Sequence, residues 1–378
     1  MSFTKLTAYL DGLKKKYGVP SFDCVVQRGH EQLYRRMGGF SDAAGTKPVT
    51  AQDEYRLFSC TKVITVTAGM QLVEQGKLFL GDPVAKYLPE FEEMTVREGE
   101  TIRPASTVLT VEDLFTMSGG FNYDMGTPAF QELMARTDGQ ATTREMVAAL
   151  AAGPLDFDPS THFQYSLGLD VLAGIIEVVS GQTFGEYLNE HIFLPLGAQP
   201  VTFHLAPEVE KAHFSQMYEV DGAGHIVPFT FIHPRSTDLN YESGSGGLIC
   251  KVDSYAPVAD ALACGGVGAN GARILQAHTI EDMKRNRLAG VRLADFEKMG
   301  KAGYGYGLGV RTLIDKSASK GPVGEFGWDG AAGAYVALDT GHQLSIFYAQ
   351  HVMGMGQDIE DIHCAIRDLV YEELGLAE

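Results

Sequence analysis

The chain has 378 residues, 45% of them hydrophobic, and a formal net charge of −18. That length can bury a sizeable core in one large domain or two intertwined ones, while acidity spread without long like-charge blocks argues against nucleic acid and anionic membrane partners, whose phosphates it would repel. No stretch is apolar for long enough to span a bilayer, and the five cysteines, Cys24, Cys60, Cys250, Cys264 and Cys364, are odd in number without paired metal spacing, so reduced structural thiols and no metal are expected.

In chain order, Met1 to Leu6 shows no apolar signal core, which points to a cytoplasmic protein unless a leader has been removed. Phe3, Leu6, Leu10 and Leu13, interrupted by Asp11 and Lys14 to Lys16, predict a surface helix. Phe22 to Gln27 and Gln32 to Met37 read as strands around a turn at Gly29-His30. Val63, Val66, Met70 and Val73, widened by Ile64, Ala68 and Leu72, predict a buried helix that stops at Gly76. From about Gly81 to Gly197 the signals are mainly helical: Val111 to Met117 behind Thr110, Arg144 to Ala152, Leu169 to Ser180, and Phe184 to Phe193. Tyr335 to Leu338 and Leu344 to Tyr348 then flank Asp339-Thr340-Gly341-His342 as a hairpin, and Asp358 to Leu374 closes the chain as an amphipathic helix. The expectation is an α/β sheet domain made by both chain ends (1–80 plus 198–378), a helix-rich domain over 81–197, and an active site in the cleft between them.

Ser59-Cys60-Thr61-Lys62 opens the buried helix. Residues three apart share a helix face, so a lysine amine there can take the proton of a serine hydroxyl. The same spacing occurs at Ser2 to Lys5 and Ser317 to Lys320. Those lie at a terminus and in a polar loop, whereas Ser59 begins a core helix, where free N–H groups and the positive dipole end favour an oxyanion. Cys60 beside it reads as helix packing. A Ser-Lys pair needs a second proton carrier, for which Tyr165 stands at the polar-to-apolar junction Phe163-Gln164-Tyr165-Ser166-Leu167-Gly168. Taken alone, as one of 16 tyrosines, Tyr165 would read as an ordinary half-buried tyrosine. The small-residue segment Phe326 to Gly333 offers the Ala331 N–H as a second oxyanion donor and Trp328 either as a pocket wall or as a packing residue at a strand start.

On these residues the chain resembles the serine β-lactamase-like superfamily, in the branch of class C β-lactamases, DD-peptidases and family VIII carboxylesterases. Agreement runs from about Gly18 to the C-terminal helix through Leu57 to Lys62, Gln75-Gly76-Lys77-Leu78, Asp82-Pro83-Val84, Met117-Ser118-Gly119-Gly120, Tyr165 to Gly168, Pro195-Leu196-Gly197, Ser245-Gly246-Gly247-Leu248, Tyr306 to Gly309 and Gly327-Trp328-Asp329-Gly330. The resemblance implies a β-lactamase-like α/β fold, an antiparallel sheet flanked by helices with an inserted helical domain. It implies Ser59 as nucleophile, Lys62 as base, Tyr165 as proton relay, the N–H groups of Ser59 and Ala331 as oxyanion hole, and Tyr123, Leu167, Trp328, Asp329 and Gly330 as substrate-binding residues. No cofactor is implied, and the division of labour between Lys62 and Tyr165 stays open.

Two departures bear on substrate. Leu167 stands where lactamases and peptidases of the family carry the Asn of Tyr-x-Asn, and Trp328-Asp329-Gly330 stands where β-lactam-recognising members carry Lys-Thr-Gly. An aspartate there would repel a substrate carboxylate. Tyr187-Leu188-Asn189 lies inside another helix, and Lys298-Met299-Gly300 and Lys301-Ala302-Gly303 precede the glycine-rich strand. Together these favour a carboxylesterase or related acyl hydrolase or transferase acting on a small ester or amide. A β-lactamase or D-amino-acid peptidase or amidase, and a non-catalytic binding homologue, remain alternatives. No Gly-x-Ser-x-Gly or His-Glu-x-x-His motif occurs, and His162, His204, His213 and His233 read as surface or satisfied polar residues.

Overall fold

The computed structural model describes residues 2–205, 212–229 and 240–377; His233 lies outside the described residues. Helix α1 (Thr4–Tyr17) buries Leu6, Leu10 and Leu13. Strands β1 (Ser21–Arg28) and β2 (Glu31–Gly39) follow, joined at Gly29-His30. Gly29 and His30 both have positive φ, 56° and 72°, the backbone of a two-residue hairpin turn whose twist matches that of the strands.

Helix α2 (Thr61–Glu74) is buried from Thr61 through Leu72. Helices α3 (Val111–Phe115), α4 (Pro128–Thr137), α5 (Thr143–Ala151), α6 (Gly168–Ser180) and α7 (Phe184–Leu188) follow. Thr110, Thr142 and Thr183 start α3, α5 and α7 with reciprocal capping boxes to Asp113, Glu145 and Glu186, which satisfy otherwise orphaned N–H groups. The segment predicted as one helix to Phe193 departs from α-geometry after Leu188 and continues as a π-helical turn, Asn189–Phe193. Asn189 is held there by the Val201 backbone at 3.0 and 2.8 Å, so its place in Tyr187-Leu188-Asn189 is structural. Helix α8 (Val252–Ala263) accommodates Pro257, and α9 (Ala277–Lys284) and α10 (Val291–Glu297) lead into β3 (Tyr304–Tyr306), β4 (Arg311–Leu313), β5 (Phe326–Asp329), β6 (Tyr335–Asp339), β7 (Leu344–Ala349) and α11 (Gln357–Glu373). A polar hairpin, Thr95–Glu98 with Thr101–Pro104, interrupts the helical region; its exposed residues carry no apolar alternation to announce it.

The seven strands form one antiparallel sheet in the order β2-β1-β7-β6-β5-β4-β3, so both chain ends build it. Its central strands are apolar on both faces because both are covered. Cys24, Val26, Ile346 and Tyr348 pack with α1 and α11. Val25, Trp328, Val336 and Phe347 face the other way, into a cluster continuous with α2, α3, α6 and α8. Tyr255 of α8 stacks on Phe347 of β7 with ring centroids 4.2 Å apart.

Two glycines let α2 sit this deep. A Cβ on Gly69 would meet the Phe115 ring at 2.7 Å, and one on Gly309, whose φ is +73°, would meet Val66 at 2.1 Å. Gly309→Ala therefore combines a left-handed alanine with overpacking against the catalytic-helix candidate, and a loss of about 2 to 4 kcal/mol is expected. Urea unfolding checks this; an unchanged midpoint would show that α2 yields at no cost.

Candidate active site

The approach to Ser59 is set by backbone. Leu57 N–H donates to Leu248 O at 2.9 Å, tying the chain to the segment after Gly247. Phe58 then turns through φ +47°, a left-handed conformation that costs a bulky residue energy and is retained where surrounding packing enforces it. Ser59 follows in a single 3-10 turn, Phe58–Cys60, that runs directly into α2. Gly330 closes from the sheet side: a Cβ there would lie 2.2 Å from Leu57 O. Cys60 is buried, its Sγ 3.7 Å from Trp328 O, and burial holds its thiol well above the ordinary range, which leaves it protonated and inert.

Lys62 is fully buried on α2. Its Nζ lies 3.3 Å from Ser59 Oγ, 3.1 Å from Tyr123 Oη and 2.6 Å from Ser245 O. Burial pulls its pKa down to about 7, with the field of Asp170 the largest influence the other way. A lysine so placed is substantially neutral near pH 7 and can act as a base. Its neighbours on α2 fix the opposing segment: Leu248 N–H donates to Thr61 Oγ1 at 3.1 Å, and Thr65 Oγ1 donates to Gly244 O at 2.7 Å. Asp170 anchors the same segment from α6, accepting from Tyr241 Oη at 2.5 Å and Ser243 Oγ at 2.7 Å.

Tyr165 reaches this cluster just before α6. The Lys62 amine lies 4.5 Å from its ring centroid. Burial, reinforced by Tyr123 and Tyr306, holds its phenol well above the ordinary value, while hydrogen bonds with Ser59 and Trp328 pull the other way. Trp328 stacks on Tyr165 at 5.5 Å and donates Nε1–H to its hydroxyl at 2.9 Å. The tryptophan stands behind Tyr165 as its support. Tyr123, expected to touch substrate, lies across Lys62 and 5.7 Å from the Tyr165 ring. Leu167 cannot offer Lys62 an amide, and the contacts come from Tyr123 Oη and Ser245 O.

Asp329 is placed differently from its expected role. Successive residues of a strand point to opposite faces, so Trp328 faces Tyr165 while Asp329 faces the α11 side. There it accepts from Lys301 Nζ at 3.2 Å, and Lys301 also pairs with Glu360. Burial pushes the Asp329 carboxyl up, but Lys301, His363 and Arg311 hold it below its ordinary value. Its charge is thus partnered beneath the sheet by Lys301, although its field still reaches Lys62, where it favours the charged amine. The Lys301-Ala302-Gly303 string, out of order in sequence, supplies the cation.

A cavity of about 310 Å³ opens over Ser59. Its walls include Phe58, Tyr123, Met125, Tyr165, Leu167 and Phe203, together with Ala331, Ser243 and Ser245 to Gly247. Arg56 is the charged side chain of this lining. Asp329, Gly330 and Trp328 are not part of it. Sequence reading missed Asp170, Tyr241, Ser243 and the Ser245 carbonyl. Their only signal was the Ser245-Gly246-Gly247-Leu248 string, which says nothing of a carbonyl's direction.

The other two Ser-x-x-Lys strings do not pair in this way. Ser317 Oγ donates to Asp315 at 2.8 Å while Lys320 binds Glu372, and Lys5 Nζ donates to Glu372 at 3.3 Å. Among the described residues no helix is long and apolar enough to cross a membrane.

A family model described as Beta-lactamase matches residues 6–369. The chain is 28% identical over 388 aligned positions to Esterase EstB of Burkholderia gladioli, covering 97% of this chain and 94% of that protein. It is 29% identical over 223 positions to Monacolin J acid methylbutanoyltransferase of Aspergillus terreus (strain NIH 2624 / FGSC A1156), covering 57% and 54%. The solved structure of EstCE1, a hydrolase with promiscuous acyltransferase activity, matches with a TM-score of 0.78 over 98% of both chains at 23% identity, a likeness of fold. A model match spanning nearly the whole chain, over the antiparallel sheet and helices described above, makes this protein a member of the Beta-lactamase family.

Proposed function

We propose that the protein is a serine acyl hydrolase that works through an acyl-enzyme on Ser59 and prefers carboxylic esters to β-lactams. The observation that carries this is the buried Lys62 amine, lowered to about 7 and 3.3 Å from Ser59 Oγ at the floor of a largely apolar cavity. Neutral Lys62 takes the Ser59 proton as Oγ attacks the ester carbonyl, and the N–H groups of Ser59 and Ala331 receive the oxyanion. Collapse of the tetrahedral intermediate breaks the carbonyl–alkoxide bond. Tyr165, kept protonated by burial, gives its proton to the departing oxygen and regains one from Lys62. Water, or an alcohol acceptor, then repeats the steps in reverse. This assigns the base to Lys62 and the relay to Tyr165.

Ester preference rests on the walls. Leu167 gives no amide to a lactam side chain, and the third motif puts Trp328 against Tyr165 rather than a lysine against substrate. The relatives EstB and Monacolin J acid methylbutanoyltransferase are named for ester hydrolysis and acyl transfer. Short-chain p-nitrophenyl esters and nitrocefin, assayed on one preparation, test the reading: kcat/KM for the ester is expected to exceed that for nitrocefin by about 100-fold or more. Nitrocefin turning over faster would reverse it. Added alcohol acceptors divide hydrolysis from transfer in the same assay.

A further inference from the structure

His30, Asp260 and Cys264 meet at one corner of the sheet, and none of them lines the cavity at Ser59. His30 is the second residue of the β1–β2 turn, and its left-handed backbone swings the ring onto the end of α8. Its Nδ1 lies 2.7 Å from Asp260 Oδ2, and its backbone N–H donates to Asp260 Oδ1 at 3.2 Å. Cys264 follows Asp260 by four residues, so the two share a helix face at the C-terminal end of α8, with Sγ 3.8 Å from Asp260 Oδ1. One ligand atom from each residue falls within 4.8 Å of the others, and Asp260 is only 2% exposed. Tetrahedral zinc has bonds of about 2.0 to 2.3 Å to nitrogen, oxygen and sulfur, which sets its ligand atoms roughly 3.2 to 3.8 Å apart, so small side-chain movements close the set.

We propose that His30, Asp260 and Cys264 form a binding site for a zinc-like divalent ion, with water as fourth ligand, that clamps the β1–β2 turn to the end of α8. The donor set of imidazole, carboxylate and thiolate matches a borderline-soft ion and is unlike the all-oxygen sites of magnesium or calcium. The charges balance: a carboxylate and a thiolate neutralise a divalent cation, and the Cys264 proton leaves to solvent on binding. The negative end of α8 adds to the attraction. The site is independent of the acyl-transfer reading.

The test uses the untagged chain freed of metal by a chelator and titrated with Co2+ and then Zn2+. One equivalent of Co2+ is expected to bind with a thiolate-to-metal charge-transfer band that Zn2+ bleaches. Cys264→Ser should abolish the band, and His30→Asn, which tolerates the left-handed backbone, should weaken binding about 10-fold or more. Ester turnover should be unchanged in both variants. Absence of the band in the wild type, its persistence in Cys264→Ser, or unaltered affinity in His30→Asn would each overturn the proposal. Should Cys264→Ser fail to fold, as judged by circular dichroism, His30→Asn decides.

Discussion

Ser59→Ala is expected to lower kcat/KM for a short-chain ester by about 10⁴-fold or more, because no covalent intermediate can form and only binding and oxyanion stabilisation remain. The fold should be unaffected, since Ser59 sits at the head of α2 and contributes little to the packing that begins at Cys60. A serine-directed phosphonate should label the wild-type chain at one site, in the peptide that carries Ser59, and fail to label the variant. Residual turnover within tenfold of the wild type, or labelling at another serine, would remove Ser59 from the mechanism. Wild-type labelling failing altogether would instead favour a non-catalytic binding homologue.

Lys62→Met is expected to lower turnover by about 10² to 10⁴-fold, the usual contribution of a positioned general base. The pH profiles should change with it. In the wild type, activity should rise through about pH 7, because Lys62 serves as base only when neutral and its pKa lies near that value. In Lys62→Met that limb should vanish from what activity remains. Stability carries a matching signature. The folded lysine titrates near 7 and the unfolded one at its ordinary 10.5, so between those values unfolding takes up a proton and wild-type stability increases with pH. Methionine has no such linkage, so the stability difference between variant and wild type should shrink as pH rises from 7 toward 10. A difference independent of pH would show that Lys62 stays charged in the folded protein, and the role of base would pass elsewhere.

Much of the fold was legible because its signals are local. The apolar spacing of α1, the threonine cap of α3, the two-residue turn at Gly29-His30 and the apolar runs of β1, β6 and β7 each lie within a few residues. Helix α8, interrupted by Pro257, was not read, nor were α4, α9 and α10, the polar hairpin at 95–104 and the π-turn after Leu188. Their apolar faces are short, or their geometry is imposed by a partner such as Val201. The resemblance built on Ser59, Lys62, Tyr165 and the ordered strings around them agrees with the family match over residues 6–369.

Residue types and local spacing therefore sufficed for the nucleophile candidate, the lysine one turn away and several elements of the sheet, and the resemblance of the ordered strings supplied the family. They could not decide which way a side chain faces across a strand or what surrounds a buried charge. Trp328 and Asp329 are adjacent in sequence, yet the pleat sends one to Tyr165 and the other to Lys301 on the far face. The basicity of Lys62 depends on burial and on Asp170, which arrives from α6, more than a hundred residues away. His30 and Cys264 share no motif, and only pairing of the hairpin with α8 brings them together at Asp260. Secondary structure follows from neighbours along the chain, whereas desolvation, electrostatic fields and ligand sets are sums over neighbours in space.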